Sequence, residues 1–158
     1  MKRFILLICL LSGLLFTQIT QGGSPKYNNR ELLYLEPNRD LIADRDFHPM
    51  VYQYGTEYQM NIDVLSEAVL SEENDIYTYT LGIHSPGAYG IGLIFDNFYL
   101  SENSELYFYD RDQTMFLGSF NASNNKSDNV FPVSIIKSDY IIIELSVPIS
   151  EIKLVKLQ

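Results

Sequence analysis

The stretch that decides the fold is IYTYTLGIHSPGAYGIGLIFD, residues 76–96. In Ile76–His84, aromatic and β-branched residues dominate and large side chains alternate with threonine, which is typical of a β-strand with one buried face. Ser85-Pro86-Gly87 predicts a turn, because proline fixes φ and glycine takes a positive φ without steric cost. A second strand is predicted to follow from Ala88 to Phe98.

The second strand carries two glycines, Gly90 and Gly92, at positions where a strand normally carries side chains. Glycine in a strand interior costs about 0.5–1 kcal/mol relative to alanine, and it is best tolerated where a large side chain or another backbone comes close. We therefore expect this face to be covered, either by tyrosines of the same domain or by a partner. The opposite face is predicted to enter the core through the alternate residues Tyr89, Ile91, Leu93 and Phe95.

Short segments with the same alternation continue along the chain. Leu106 and Phe108 alternate with Tyr107 and Tyr109, and Tyr140–Val147 is the strongest apolar run. Turn residues separate these segments at intervals of roughly ten residues, which favours an antiparallel sandwich. The predicted class is all-β, a jelly-roll-like antiparallel β-sandwich of about seven or eight short strands. The remaining predicted strands are Glu57–Val64, Met115–Phe120 and Ile152–Leu157.

The N-terminal 23 residues have the pattern of a secretory signal peptide. Lys2 and Arg3 precede the apolar run Phe4–Phe16, and small and polar residues follow it. The run is too short to cross a bilayer, which takes about 20 residues. We predict cleavage between Thr20 and Ser24. The expected protein is secreted, periplasmic or on the cell surface, with no stable membrane anchor after cleavage.

The rest of the chain is predicted to form a leader and one domain. Residues 24–53 are polar and mixed in character, and we expect them to be ordered only where they dock on the domain. A short helical turn is predicted at Pro37–Asp46, because proline suits the first position of a helix. Residues 54–158 are the predicted β-sandwich domain.

The charge of the chain excludes one class of partner. Its formal net charge is −9. A chain that acidic repels phosphate backbones, so no nucleic-acid partner is expected.

The histidines do not form a recognisable catalytic pattern. A nucleophilic triad needs a serine or cysteine held near a histidine and a carboxylate, and neither His48 nor His84 lies in such a context. Zinc needs three or four ligands at characteristic spacings, and two isolated histidines do not supply them. We therefore predict no enzymatic activity, no catalytic residue, no metal ligand and no cofactor.

Acidic residues suggest two further kinds of site. Asp110 and Asp112 alternate in a loop, but a calcium loop usually offers more oxygen ligands and a glycine, so calcium binding is left open. Asp96 and Glu144 lie within otherwise apolar strands, and a pair of carboxylates can hydrolyse glycosides. We expect Asp96 and Glu144 to face outward or to pair with a lysine or an arginine.

The tyrosines provide the candidate binding residues. Tyr107 and Tyr109 are predicted to lie on the sheet face opposite the core, where aromatic rings are suited to stacking on sugars. Together with Gly90 and Gly92, they form the predicted interaction surface.

Four stretches carry a family resemblance. From about Tyr54 onwards, the chain resembles the N-terminal β-domain that precedes the protease domain in secreted bacterial trypsin-like serine proteases of the lysyl endopeptidase type. The stretches are SPGAYGIGLIFDNFYL (85–100), SELYFYDRDQTMFLGSF (104–120), NNKSDNVFPV (124–133) and SDYIIIEL (138–145).

The resemblance implies a scaffold without catalytic residues. The family's protease domain follows this region, and this sequence has no counterpart of its histidine, aspartate and serine. We therefore expect a secreted, protein-binding β-sandwich whose partner is a trypsin-like protease or another protein. The alternatives are a glycan- or matrix-binding module and a truncated remnant of a secreted protease.

Overall fold

β-Strands dominate the computed structural model, which describes residues 20–27, 32–38 and 55–158. The described residues form ten strands and one short α-helix, α1 (Val64–Glu67). In chain order the strands are β1 Tyr34–Leu35, β2 Val69–Glu73, β3 Ile76–His84, β4 Ile91–Phe95, β5 Phe98–Tyr99, β6 Glu105–Tyr109, β7 Phe116–Phe120, β8 Phe131–Ile136, β9 Tyr140–Pro148 and β10 Lys156–Leu157. The fold is an all-β sandwich, as the sequence predicts.

One layer of the sandwich is a six-stranded sheet, called the main sheet below. Its strand order is β1-β3-β9-β6-β7, and β2 also pairs with β3. The pairs are antiparallel except for β1, which runs parallel to β3. The opposite layer contains two antiparallel pairs, β4 with β8 and β5 with β10.

The core between the layers is filled by alternate residues of the strands. On β9, Ile141, Ile143 and Leu145 are almost completely buried, and each such side chain contributes about 1.5–3 kcal/mol by leaving water. Phe131 of the second layer stacks on Phe98 at 4.2 Å and meets Phe120 of the main sheet edge-on at 5.1 Å. These rings join the two layers.

The first strand and its turn agree with the sequence prediction. β3 spans Ile76–His84, and its inward residues Tyr79, Leu81 and Ile83 belong to the core. The turn after it is of type II, since Gly87 has φ +80° and the Ala88 amide donates to the Ser85 carbonyl at 3.0 Å.

The second predicted strand differs from the structure at both ends. It is divided into β4 and β5, because the amides of Asp96 and Asn97 turn to the Gln158 carbonyl at 3.0 and 3.4 Å. Placing Tyr89 in the core was wrong, since its side chain is 99% exposed. Tyr89 precedes the first ladder residue, Ile91, and the alternation of a strand does not reach it.

Two further segments differ from the prediction. Alternate residues of Glu57–Val64 are half-buried as expected, yet this segment forms only a single bridge at Tyr58 and then enters α1. Asp63 starts that helix by accepting the Leu65 amide at 3.1 Å. β8 was not predicted. It contains Pro132, a residue that sheets accept mainly in edge strands. β8 tolerates it as an edge strand with Pro132 exposed.

The end of the chain and parts of the leader can also be compared. Residues 152–157 are divided between a 3₁₀ helix, Ile149–Leu154, and β10. Pro37 and Asn38 are not helical, and the other residues of the predicted helical turn lie outside the described residues, as do His48 and residues 1–19.

Candidate functional site

The face of the main sheet opposite the core is buried although it is polar. Thr78, Thr80, Glu144 and Ser146 point to this face, and their exposed fractions lie between 0 and 7%. Buried polar groups need hydrogen-bond partners and a cover that excludes water. The chain itself supplies that cover.

The cover is the N-terminal segment, and we call its described residues, 20–27 and 32–38, the strap. At the β7 edge of the sheet, the Gln21 amide donates to the Ser119 carbonyl at 3.0 Å, and the Ser119 amide donates to the Gly22 carbonyl at 3.2 Å. At the opposite edge, β1 pairs with β3, and the Gly82 amide donates to the Leu33 carbonyl at 3.0 Å. The strap therefore contacts both edges of the sheet, and we call the surface it covers the strap face.

Glu144 is the centre of the strap face. Its side chain is completely buried. One carboxylate oxygen accepts the backbone amide of Lys26 at 2.6 Å, and the other accepts the Tyr109 hydroxyl at 2.9 Å. Hydrogen bonds to an ionised acceptor are among the stronger ones in proteins. The strap thus supplies one of two contacts that compensate the buried carboxylate.

Tyr109 is held in its protonated form by this arrangement. Burial raises the pKa of Tyr109 well above its ordinary value, and the charge of Glu144 and the hydrogen bond to it raise the pKa further. A phenol with so high a pKa donates a hydrogen bond at neutral pH and does not act as a base. Tyr109 therefore positions Glu144.

Aromatic packing fastens the strap beside Glu144. Tyr107 and Tyr109 are 3% and 2% exposed, and they form a small cluster with Ile142, Tyr27 and Leu32. The Tyr27 ring meets the Tyr109 ring edge-on at 5.1 Å. This packing fixes the strap against the middle of the sheet.

Gly23 allows the strap to approach Tyr107 closely. A Cβ atom at Gly23 would lie 2.5 Å from the Tyr107 hydroxyl oxygen. The residue also has φ +89°, a conformation that β-branched residues rarely adopt. Gly23 is therefore required by both space and backbone geometry.

A second contact region lies where the strap leaves the sheet. The Tyr34 ring lies over Gly82, where any Cβ atom would overlap it, and meets the Tyr140 ring at 5.2 Å. His84 stacks on Tyr140 at 4.0 Å, and its Nδ1 lies 3.0 Å from a carboxylate oxygen of Glu36. The described geometry gives His84 a role in fastening the strap.

A polar cleft of about 410 Å³ opens beside the strap. Glu102 and Glu105 line it from the sandwich, and Gln21 and Lys26 line it from the strap. The Lys26 ammonium group lies 3.4 Å from the Thr78 hydroxyl oxygen. The remaining lining residues are Ile76, Asn103, Ser104, Ser119, Asn121 and Ser146.

The predicted interaction surface is divided by the structure. Tyr107 and Tyr109 lie under the strap, whereas Gly90 and Gly92 lie beside β8 in the other layer. Among the described residues, the side chain nearest to both glycines is that of Ile135 and not that of a tyrosine. A Cβ atom at Gly90 would lie 2.6 Å from one Ile135 carbon, and a Cβ at Gly92 would lie 3.5 Å from another.

The acidic residues have structural roles. Asp110 accepts the Thr114 hydroxyl at 2.6 Å and the Met115 amide at 2.8 Å, so it closes the turn between β6 and β7. Asp96 is exposed beyond β4, whereas Glu144 is buried under the strap. Within residues 20–27, 32–38 and 55–158, no group of three or more histidine, cysteine, aspartate or glutamate side chains is placed to hold a metal ion.

Two findings concern the chain as a whole. Comparison with protein-family models, curated proteins and solved structures gives no significant match. In the part of the chain that the structure describes, no helix has the length and apolar character needed to cross a membrane.

Proposed function

We propose that this protein is a non-catalytic β-sandwich that binds a polypeptide segment on its strap face. The observation that carries the proposal is the hydrogen bond from the Lys26 amide to Glu144. A buried carboxylate on a sheet face accepts a main-chain amide from a segment 118 residues away. In the described state, the strap occupies this site in cis.

The contacts of the strap favour a polypeptide as the ligand. Gln21, Gly22 and Lys26 bind through main-chain groups, which every peptide carries. Addition of a segment to a sheet edge is a common mode of peptide recognition, in which main-chain bonds give affinity and side-chain contacts give specificity. A sugar would reach Tyr107 and Tyr109 only after the strap has left.

The polar groups of the face support a binding role over a catalytic one. Both oxygens of Glu144 accept hydrogen bonds, and Tyr109 retains its proton. With the strap in place, no buried side-chain nitrogen or oxygen of the described residues lacks a hydrogen-bond partner. This satisfied state is what a binding face with its ligand in place requires.

The proposal is tested by opening the face and supplying the strap in trans. The Gly23→Val protein should lose its own strap, because valine clashes with Tyr107 and does not tolerate a positive φ. A fluorescent peptide of residues 20–38 should then bind at least about tenfold more tightly than it binds the unchanged protein. In the unchanged protein the strap occupies the face, which lowers the fraction of molecules that can bind the peptide. Fluorescence anisotropy measures both affinities.

Two controls make this experiment specific. A peptide that is N-methylated at Lys26 cannot donate to Glu144 and should bind weakly. Tyr27→Ala in the protein is a second way to loosen the strap, should Gly23→Val not fold. If neither opened protein binds the peptide while circular dichroism shows a native sandwich, the proposal is wrong.

We further propose a secreted trypsin-like protease as the class of partner, on the resemblance of residues 85–145 alone. We also propose a secretory route on the pattern of the N-terminal residues, with cleavage after Thr20, at the first position of the predicted interval, so that the mature protein keeps the strap residues Gln21–Tyr27. The test is whether the protein co-purifies with such a protease or raises its refolding yield. Failure of both would remove the protease as partner and leave the strap face as a polypeptide site.

A further inference from the structure

The strap contacts the sheet through a short run of consecutive residues, each with different chemistry. From this, and resting on the proposed function, we infer that the strap face recognises a sequence pattern: glycine, any residue, proline, a basic residue and an aromatic residue. Gly23–Tyr27 carries the pattern in this chain. The partner is a second protein that presents a cationic segment of this kind.

The first position is limited to glycine. The Tyr107 hydroxyl leaves no room for a Cβ atom at Gly23, and the Tyr107 ring is itself buried and has little freedom to move. Ser24, in contrast, is exposed. The face therefore discriminates at position 23 and is indifferent at position 24.

Proline suits the third position because it is buried next to an essential donor. Pro25 is buried, whereas Thr20–Ser24 and Lys26 are exposed. Proline has no amide hydrogen that would need an acceptor under the strap, and its fixed φ reduces the number of conformations open to the segment. The following amide, that of Lys26, then points to Glu144.

A basic residue at the fourth position matches the charge of its surroundings. Lys26 lines the polar cleft together with Glu102 and Glu105, and the whole chain carries a formal net charge of −9. Complementary charge attracts a cationic segment and rejects an acidic one. The segment is therefore expected to bind more weakly as salt concentration rises.

The fifth position calls for an aromatic ring. Tyr27 meets Tyr109 edge-on, and Tyr109 is also the donor to Glu144. Aromatic pairs of this geometry contribute beyond their buried area. An aromatic residue thus packs on the same ring that holds the central carboxylate.

The experiment compares single substitutions in the 20–38 peptide, bound to the Gly23→Val protein. Gly23→Val, Lys26→Glu and Tyr27→Ala in the peptide should each weaken binding by about tenfold or more. Pro25→Ala should weaken it less, and Ser24→Ala is the matched control that should leave it unchanged. The loss caused by Lys26→Glu should be largest at low salt.

The outcomes separate this inference from the proposed function. Equal binding of all these peptides, with failure of the N-methylated Lys26 peptide alone, overturns the pattern and leaves a general polypeptide site. Light scattering should show a monomeric protein that binds one peptide. A dimer of the Gly23→Val protein that the peptide does not dissociate would overturn the assignment to a second protein, because the segment would then come from another copy.

Discussion

The two faces of the main sheet are both buried, but by different means. On one face, Ile141, Ile143 and Leu145 of β9 pack against the second layer in a large apolar core. On the other, Glu144 and its neighbours bind the strap through directional hydrogen bonds and a small aromatic cluster. Apolar burial grows with area and needs no particular partner atom, whereas the strap face depends on a few specific groups. We expect that a cover held in this way can leave while the sandwich stays folded.

The largest expected effect comes from breaking the core face. Phe131→Ala removes a fully buried ring that stacks on Phe98 and meets Phe120. We expect a loss of about 3–5 kcal/mol in the free energy of unfolding, measured by urea denaturation. Phe131→Leu should lose less, and a loss below that of Glu144→Ala would contradict the ranking of the two faces.

Removing the centre of the strap face should have the next largest effect. Glu144→Ala leaves the Tyr109 hydroxyl and the Lys26 amide without their acceptor, so we expect a loss of about 2–3 kcal/mol. Hydrogen exchange of the strap amides should accelerate, while the amides of β9 keep their protection. Glu144→Gln retains the shape and an acceptor and serves as the milder control. Uniform loss of protection across β9 would show that the two faces do not act separately.

The phenol of Tyr109 gives the strap face a pH dependence. Its pKa is raised in the folded state above the ordinary value of 10.0. The stability that this shift provides is fully present below pH 10.0 and is lost as the pH rises through the folded pKa. Stability should therefore fall above pH 10.0, and Tyr109→Phe should reduce this slope. An unchanged slope in that variant would contradict the assignment.

Tyr109→Phe also has a cost at neutral pH. It removes one hydrogen bond to the buried carboxylate, with an expected loss of about 1–2 kcal/mol. Urea denaturation at pH 7 measures this loss, and it should be smaller than that of Glu144→Ala, because the Lys26 amide retains its acceptor.

The smallest effect is expected at the glycines of the second layer. Gly92 is exposed, and a Cβ atom there would make ordinary contacts with the Val133 carbonyl oxygen and Ile135 at 3.4 and 3.5 Å. Gly92→Val should change stability by no more than about 0.5 kcal/mol and should leave peptide binding unchanged. Loss of peptide binding in this variant would return Gly92 to the interaction surface.

Local sequence patterns predict those strands that bury one face in the core. The alternation in Ile76–His84 is local information, and β3 spans those residues. The break between β4 and β5 depends on Gln158, which lies about sixty residues away in sequence. An alternating pattern contains no trace of such a contact, so one long strand was predicted.

The strap face was only partly accessible to the same reasoning. Tyr107 and Tyr109 were predicted on the face opposite the core, and the structure places them there. The sequence singles out Glu144, in the middle of the apolar run YIIIELSV, as an outward-facing or partnered carboxylate, but it does not connect Glu144 with the two tyrosines. Such a residue requires a donor, but its donor, Lys26, lies 118 residues earlier, and no spacing rule connects the two. The donor to Glu144 could therefore be identified only from the three-dimensional structure.

Native-state hydrogen exchange of the unchanged protein tests the central claim most directly. The claim is that the strap opens while the sandwich stays folded. The account predicts that the Lys26 amide exchanges through local opening, with a lower free energy and a weaker denaturant dependence than the amides of β9. Equal free energies and equal denaturant dependence for Lys26 and β9 would mean that the strap leaves only when the whole protein unfolds, and would contradict the account.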